Sequence, residues 1–213
     1  MVIKLYFAPS EYMSNILRYA MHFPEKSVDH LKTLCEHESF DFVIRKKRTS
    51  KLGDFRYGLE GKPSVITVNS DLNSFHFLIT FLHELAHYFV WKNRAKRVKP
   101  HGKEWKDEFS FLLKQFCHLG VFPKDLESLL MSHANNPRAS SFSDVKLLLA
   151  LKKYDSNVNV FHLFELNENG RFKLGNGKIY SKGKKRRSRI LCQELSSKKH
   201  YLIHVMAEVT PLS

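Results

Sequence analysis

Apolar residues recur along this chain in two rhythms, and the change of rhythm divides it. Up to about residue 153 they mostly return every three or four positions, the spacing of one helix face. Residues 10–22 carry Met13, Ile16, Leu17 and Ala20 in this way, and residues 25–37 carry Val28, Leu31, Leu34 and Cys35. The pattern breaks for three short β-like runs. Residues 40–44 are apolar apart from Asp41, residues 54–57 follow a Lys-Leu-Gly turn, and residues 64–68 are β-branched behind Gly61-Lys62-Pro63. The helical spacing resumes over 73–93, where Phe75, Leu78, Ile79, Leu82, Leu85, Ala86 and Phe89 make a broad apolar face. A basic loop at 94–100 leads to a helix over 103–118 that Gly120 closes, and two more helices are expected over 123–133 and 143–153.

After residue 154 the pattern shortens. Residues 158–166, 172–174, 178–180, 187–195 and 200–206 read as strands, with Asn169-Gly170 and Gly175-Asn176-Gly177 as tight turns. The expected fold class is α+β. A domain of helices and a small sheet spans 1–154, and a small antiparallel β module spans 155–213. Residues 135–141 form a loop.

Charge adds a partner to this picture. Lys and Arg number 35 against 21 Asp and Glu, a formal net of +14. Such an excess suits an acidic partner, most often nucleic acid. More than half of it lies after residue 150, in under a third of the chain. There Lys182, Lys184, Lys185, Arg186, Arg187 and Arg189 fall within eight positions, with Phe172, Tyr180 and Tyr201 in the same module. Basic groups interleaved with aromatics suit single-stranded DNA or RNA, where phosphates pair and bases stack.

Three scattered cysteines, Cys35, Cys117 and Cys192, make a disulfide framework unexpected and a reducing cytoplasm the better setting. The first residues lack the apolar core of a signal peptide. No stretch reaches the roughly 18 apolar residues of a membrane span, so no membrane partner is expected.

The candidate chemistry lies in the long helix. Residues 83–87 read His-Glu-Leu-Ala-His. Spacing of i, i+4 sets His83 and His87 on one helix face, where both can reach one Zn²⁺ at about 2.0–2.1 Å. Glu84 is turned about 100° from His83, placed to act as general base without occupying the metal. The extended metzincin pattern is excluded, because Val90 and Asn93 stand where it needs Gly and His. A third ligand must come from elsewhere, leaving one position open for water. His101, Glu104 and Glu108 are the candidates. His200 and His204 sit about 13 Å apart on a strand and cannot chelate together.

These residues resemble the SprT-like family, which includes proteases of DNA–protein crosslinks. The likeness rests on His83-Glu-Leu-Ala-His87, on His101-Gly102-x-x-Trp105, and upstream on Arg48-Thr-Ser-Lys-Leu-Gly-Asp-Phe-Arg56 and Ser64-Val-Ile-Thr-Val-Asn69. It covers about residues 10–120. The resemblance implies a zincin-like core, one Zn²⁺ held by His83, His87 and His101, and a metallopeptidase acting on DNA-bound or DNA-crosslinked proteins. By the same likeness, strand 64–69 would hold an extended substrate. Many relatives end in a zinc ribbon of four cysteines. Here only Cys192 is present, so the module resembles a ribbon without its metal. The competing reading is a DNA-binding regulatory module whose zinc is structural or idle. An intact Glu84 favours the enzyme, because a structural site has no use for a base.

Overall fold

The computed structural model describes residues 16, 18–48, 51–59, 62–93, 98–137, 144–156 and 160–212. It is α+β and divides into two compact units, Met1–Pro137 and Arg138–Ser213. Most of the helix expected at 10–22 lies outside the described residues; its end is a 3₁₀ turn, Ala20–His22. No described helix is long and apolar enough to cross a membrane.

Among the described residues, the first unit holds a three-stranded sheet and four α-helices that are described end to end. The strands are β1 (Phe40–Arg45), β2 (Gly53–Arg56) and β3 (Ser64–Asn69), in the order β1-β3-β2. β1 runs parallel to β3 and β2 antiparallel to it, with Phe42 opposite Ile66 and Phe55 opposite the same residue on the other side. Strand 64–69 is therefore the centre of the sheet, and both its edges are paired. The expectation that it holds substrate is corrected: its backbone groups are used up, and among the described residues the strand edge near the histidines belongs to β2.

Helix α1 (Val28–Cys35) is preceded by a separate 3₁₀ turn, Glu25–Ser27, so the expected helix over 25–37 is shorter and begins later. Helix α2 (Ser74–Lys92) starts on Asn73, whose side chain accepts the His76 N–H at 2.9 Å. It is buried nearly all round, because it packs on the sheet on one side and on α3 (Lys103–His118) on the other. Phe23, Phe42, Phe77 and Phe81 meet edge to face or tilted at 5.0–6.1 Å and form the centre of the core. Helix α3 buries Trp105, Phe109, Leu112, Leu113 and Phe116, one apolar stripe. It ends as the sequence indicates. Gly120 has φ +64°, its N–H bonds the Cys117 carbonyl, and the Val121 N–H reaches the Phe116 carbonyl. Those are the two bonds of a Schellman cap, which needs a left-handed residue at that position. Helix α4 (Lys124–Ala134) packs on α3.

The second unit joins helix α5 (Val145–Lys152) to a five-stranded antiparallel sheet. Its strands are β4 (Arg171–Lys173), β5 (Ile179–Arg186), β6 (Arg189–Glu194), β7 (His200–His204) and β8 (Thr210–Leu212), in the order β7-β6-β5-β4-β8. Leu163, Phe172, Tyr180, Ile190, Cys192, Val205 and Val209 form its core, and Val145 of α5 packs against them. The structure therefore groups this helix with the strands, whereas the expected boundary at 154/155 places it in the first domain.

Two strand readings change. Residues 158–166 do not form a strand: among the described residues there, Leu163–Glu165 is a 3₁₀ turn and His162 makes a lone bridge to Glu208. His162 and Leu163 are both buried, which breaks strand alternation, and Glu165 Oε2 accepts the His162 N–H at 2.8 Å. The strand expected at 178–180 continues to Arg186, because the basic run pairs with β6 across a bulge between Lys182 and Lys185. β8 was not legible. Its Pro211 is tolerated because the strand lies at the sheet edge.

Candidate metal centre

Helix α2 carries His83 and His87 one turn apart, and His101 comes from the loop before α3. Their ring nitrogens converge. His83 Nε2 lies 3.2 Å from His101 Nε2, and His87 Nε2 lies 3.0 Å from it. A tetrahedral ion with bonds of about 2.0–2.1 Å spaces its ligand atoms about 3.3 Å apart, so the three imidazoles fit one ion with a small outward adjustment. Among the described residues these three form the group able to hold a metal. Glu104 and Glu108 stand outside it. His101 has φ +55°, a left-handed conformation uncommon for a residue with a side chain, which the loop imposes in turning the ring back toward α2.

Burial keeps all three rings neutral. It depresses the pKa of His83 well below the usual histidine value, with the neighbouring imidazoles adding to it. His87 is lowered to about 4 by burial and then by His101, and His101 itself is lowered by burial. Neutral imidazole is the ligand form, so the site is ready at neutral pH.

Trp105 builds the wall behind them. Its ring centroid lies 4.6 Å from His83, 5.3 Å from His87 and 4.6 Å from His101, and its Nε1–H donates to the His83 carbonyl at 3.2 Å. The spacing His101-x₃-Trp105 puts the tryptophan one turn into α3, where it is 1% exposed. Its contact with every candidate ligand was not visible in the sequence.

Glu84 is buried beside the sheet. Its carboxylate accepts the Phe55 N–H of β2, and its pKa is raised to about 8. Burial is the largest cause and the charge of Asp54 the next, opposed by Arg48, Lys51 and the Phe55 N–H. A cation on the histidines would draw it back toward the ionised form. Gly53 makes this placement possible. A Cβ there would stand 2.6 Å from Glu84 Oε1 and 2.8 Å from its Cγ. Asn69, fully buried at the end of β3, fixes the approach to Gly53. Its Oδ1 accepts from Arg48 Nε at 2.7 Å and its Nδ2 donates to the carbonyls of Arg48 and Lys51. Neither residue's role is legible locally; the available signal is an Asn closing a largely β-branched strand.

Tyr88 is committed elsewhere: its hydroxyl accepts the Ser39 N–H at 3.1 Å and bonds Glu38. Arg94, Lys96 and Arg97 lie outside the described residues. Beside His101 a cleft of about 580 Å³ is lined by Lys99, Lys103, Lys106 and Lys114, with Asp107 and Asn136 partnering two of them.

In the second unit, Lys184, Lys185, Arg186 and Arg187 are exposed along the end of β5 and its turn, and Arg189 opens β6. Lys182 is set apart. Its Nζ donates to the carbonyls of Phe164 and Leu166, which ties it into the module. All three cysteines are buried free thiols.

A family model, that of the SprT-like family, matches residues 21–120. No curated protein and no solved structure matches the chain.

Proposed function

With residues 21–120 an SprT-like segment, we propose that this chain is a zinc-dependent metallopeptidase with a zincin-like core, acting on proteins held on or crosslinked to DNA. One observation carries the reading: three neutral imidazoles converge on one point, and the next residue of the same helix is a buried carboxylate. A structural metal site has no need of that carboxylate.

Zn²⁺ held by His83, His87 and His101 would supply Lewis acidity toward the scissile carbonyl and toward water. Glu84 moves the proton. Its carboxylate takes one from the attacking water and gives it to the leaving amine nitrogen. The Phe55 N–H and the absence of a side chain at Gly53 hold that carboxylate in one place. Trp105 orients the three ligand rings and screens them from water on one side. The outer edge of β2, which no described strand pairs, offers an extended polypeptide its backbone groups other than the Phe55 N–H.

The DNA part of the reading rests on charge. The four lysines of the cleft beside His101 would accept a phosphate chain close to the metal. The exposed cations of the β5–β6 hairpin, Lys184, Lys185, Arg186, Arg187 and Arg189, would add a second contact, with single strands favoured by the nearby Tyr201, which is 39% exposed.

The test is cleavage of a basic DNA-binding protein by the zinc-loaded chain, with and without single-stranded DNA, beside Glu84→Gln. Cutting by the parent alone, accelerated by DNA, is the expected result. Zinc and DNA binding by both proteins with cleavage by neither would turn the conclusion to a DNA-binding module with an idle metal. Cleavage indifferent to DNA would leave a general peptidase.

A further inference from the structure

Beside the histidines, β2 and α2 carry two matched rows of rings. Positions i and i+2 share a strand face and stand about 6.7 Å apart. Positions i and i+4 share a helix face and stand about 6 Å apart. Phe55 and Tyr57 make the first row, and His87 and Trp91 the second. The rows run in step. Phe55 lies parallel to His87, with centroids 6.5 Å apart at 6°, and Tyr57 stacks on Trp91 at 6.5 Å and 23°. Phe55 also meets Trp91 at 6.2 Å, which closes the set into one ledge. Its inner end is a candidate metal ligand. Its outer end is open, with Tyr57 58% and Trp91 43% exposed. Large aromatics left in water side by side, continuous with a catalytic centre, mark a binding surface.

We propose that this ledge is a side-chain subsite of the peptidase, taking a bulky aromatic or aliphatic residue of a polypeptide paired with the outer edge of β2. The inference rests on the peptidase reading and adds the preference of its site. The occupant follows from the surroundings. No described strand pairs the outer edge of β2, and apart from the Phe55 N–H, which Glu84 accepts, its outward backbone groups keep the spacing of another extended chain. Lys51 and Arg56 beside that strand are already paired with Asp54, at 2.9 and 3.5 Å, so they are not set out for a phosphate chain on the same path. The outer rings lie about 6–7 Å along the rows from the metal end, the length of two extended residues. The preferred residue therefore stands about two positions from the cleaved bond.

The experiment uses the full chain carrying Glu84→Gln, loaded with zinc, and fluorescein-labelled peptides that differ at one position: Tyr, Leu, Gly or Asp. Binding is read by anisotropy. The Tyr and Leu peptides should bind about ten-fold tighter than Gly or Asp, within the range a hydrophobic pocket supplies. Trp91→Ser and Tyr57→Ser, each checked for zinc content and melting temperature, should shrink that preference to about two-fold. An equal preference in both variants, or no preference at the start, overturns the proposal. So does oligothymidylate binding that both variants abolish, which would make the ledge a base-stacking surface. Cleavage by the Glu84-intact chain is scored separately. Peptide preference without cleavage sinks the peptidase reading and keeps the ledge, whereas cleavage without preference does the reverse.

Discussion

Gly53→Ala tests whether β2 sets the position of Glu84. The added methyl would stand 2.6 Å from Oε1 and 2.8 Å from Cγ of Glu84, and 2.9 Å from Cγ2 of Thr80. Non-bonded carbon contacts settle at about 3.5–4.0 Å, so the carboxylate must retreat by about 1 Å. A catalytic group misplaced by that much costs about 100-fold in rate. Overpacking at the same point costs about 1–3 kcal/mol of stability, which a domain of ordinary stability survives. Glu84 holds no metal in this arrangement, so zinc content and affinity should stay near those of the parent. The assay is single-turnover cleavage by the zinc-loaded protein, with zinc stoichiometry measured on the same sample. A double cycle adds the decisive arm: with Glu84→Gln already present, Gly53→Ala should cost little more, because the group it displaces is gone. A rate within about three-fold of the parent, or losses that multiply in the double variant, would refute the account.

Other outcomes follow from the same geometry. Trp105→Phe removes the bond to the His83 carbonyl and part of the wall behind the ligands; zinc affinity in chelator competition should fall about 10–100-fold. Because Trp105 lies 4.6 Å from two of the rings, Cu²⁺ bound at the site should quench tryptophan fluorescence, and Trp105→Phe should reduce the quench to the part that the more distant Trp91 contributes. His76 has a sealed Nε2 with no hydrogen-bond partner and a pKa lowered by burial from the usual 6.5 to about 4. The unfolded chain is then protonated first as pH falls, so stability present above about pH 6.5 is lost toward pH 4, by about 3 kcal/mol for this group. Urea unfolding of the metal-free protein should show that slope, reduced by this amount in His76→Leu. Replacing Lys184, Lys185, Arg186 and Arg187 with Ser should flatten the salt dependence of single-stranded DNA binding by about 3 in log–log slope. Lys182→Met should instead lower the melting temperature, because two carbonyls lose their donor.

Elements whose signals are local are legible in the chain alone. Periodicity located α2 and α3, a glycine ended α3, and His83-Glu84-x-x-His87 defined two of the three candidate metal ligands, because helix geometry alone sets i and i+4 side by side. The sequence also brought His101 into the candidate set beside Glu104 and Glu108, and a family likeness singled it out. Tertiary structure decided what depends on pairing across the chain. Strand order is not written in any one strand: β3 reads like an edge as well as a centre, and only its two partners put β1 and β2 at the edges of the described sheet. The apolar stretch at 158–166 has strand composition, but a Glu165 cap and two adjacent inward side chains turn it into a 3₁₀ turn. Lys182 is indistinguishable from its basic neighbours in the sequence, and only the bulged register of β5 turns it toward the carbonyls of the module. Gly53 shows the same limit most plainly. A lone glycine in a short strand carries no sign of its neighbour. Its meaning appears only when α2, far along the chain, lays the Glu84 carboxylate where a Cβ would have been.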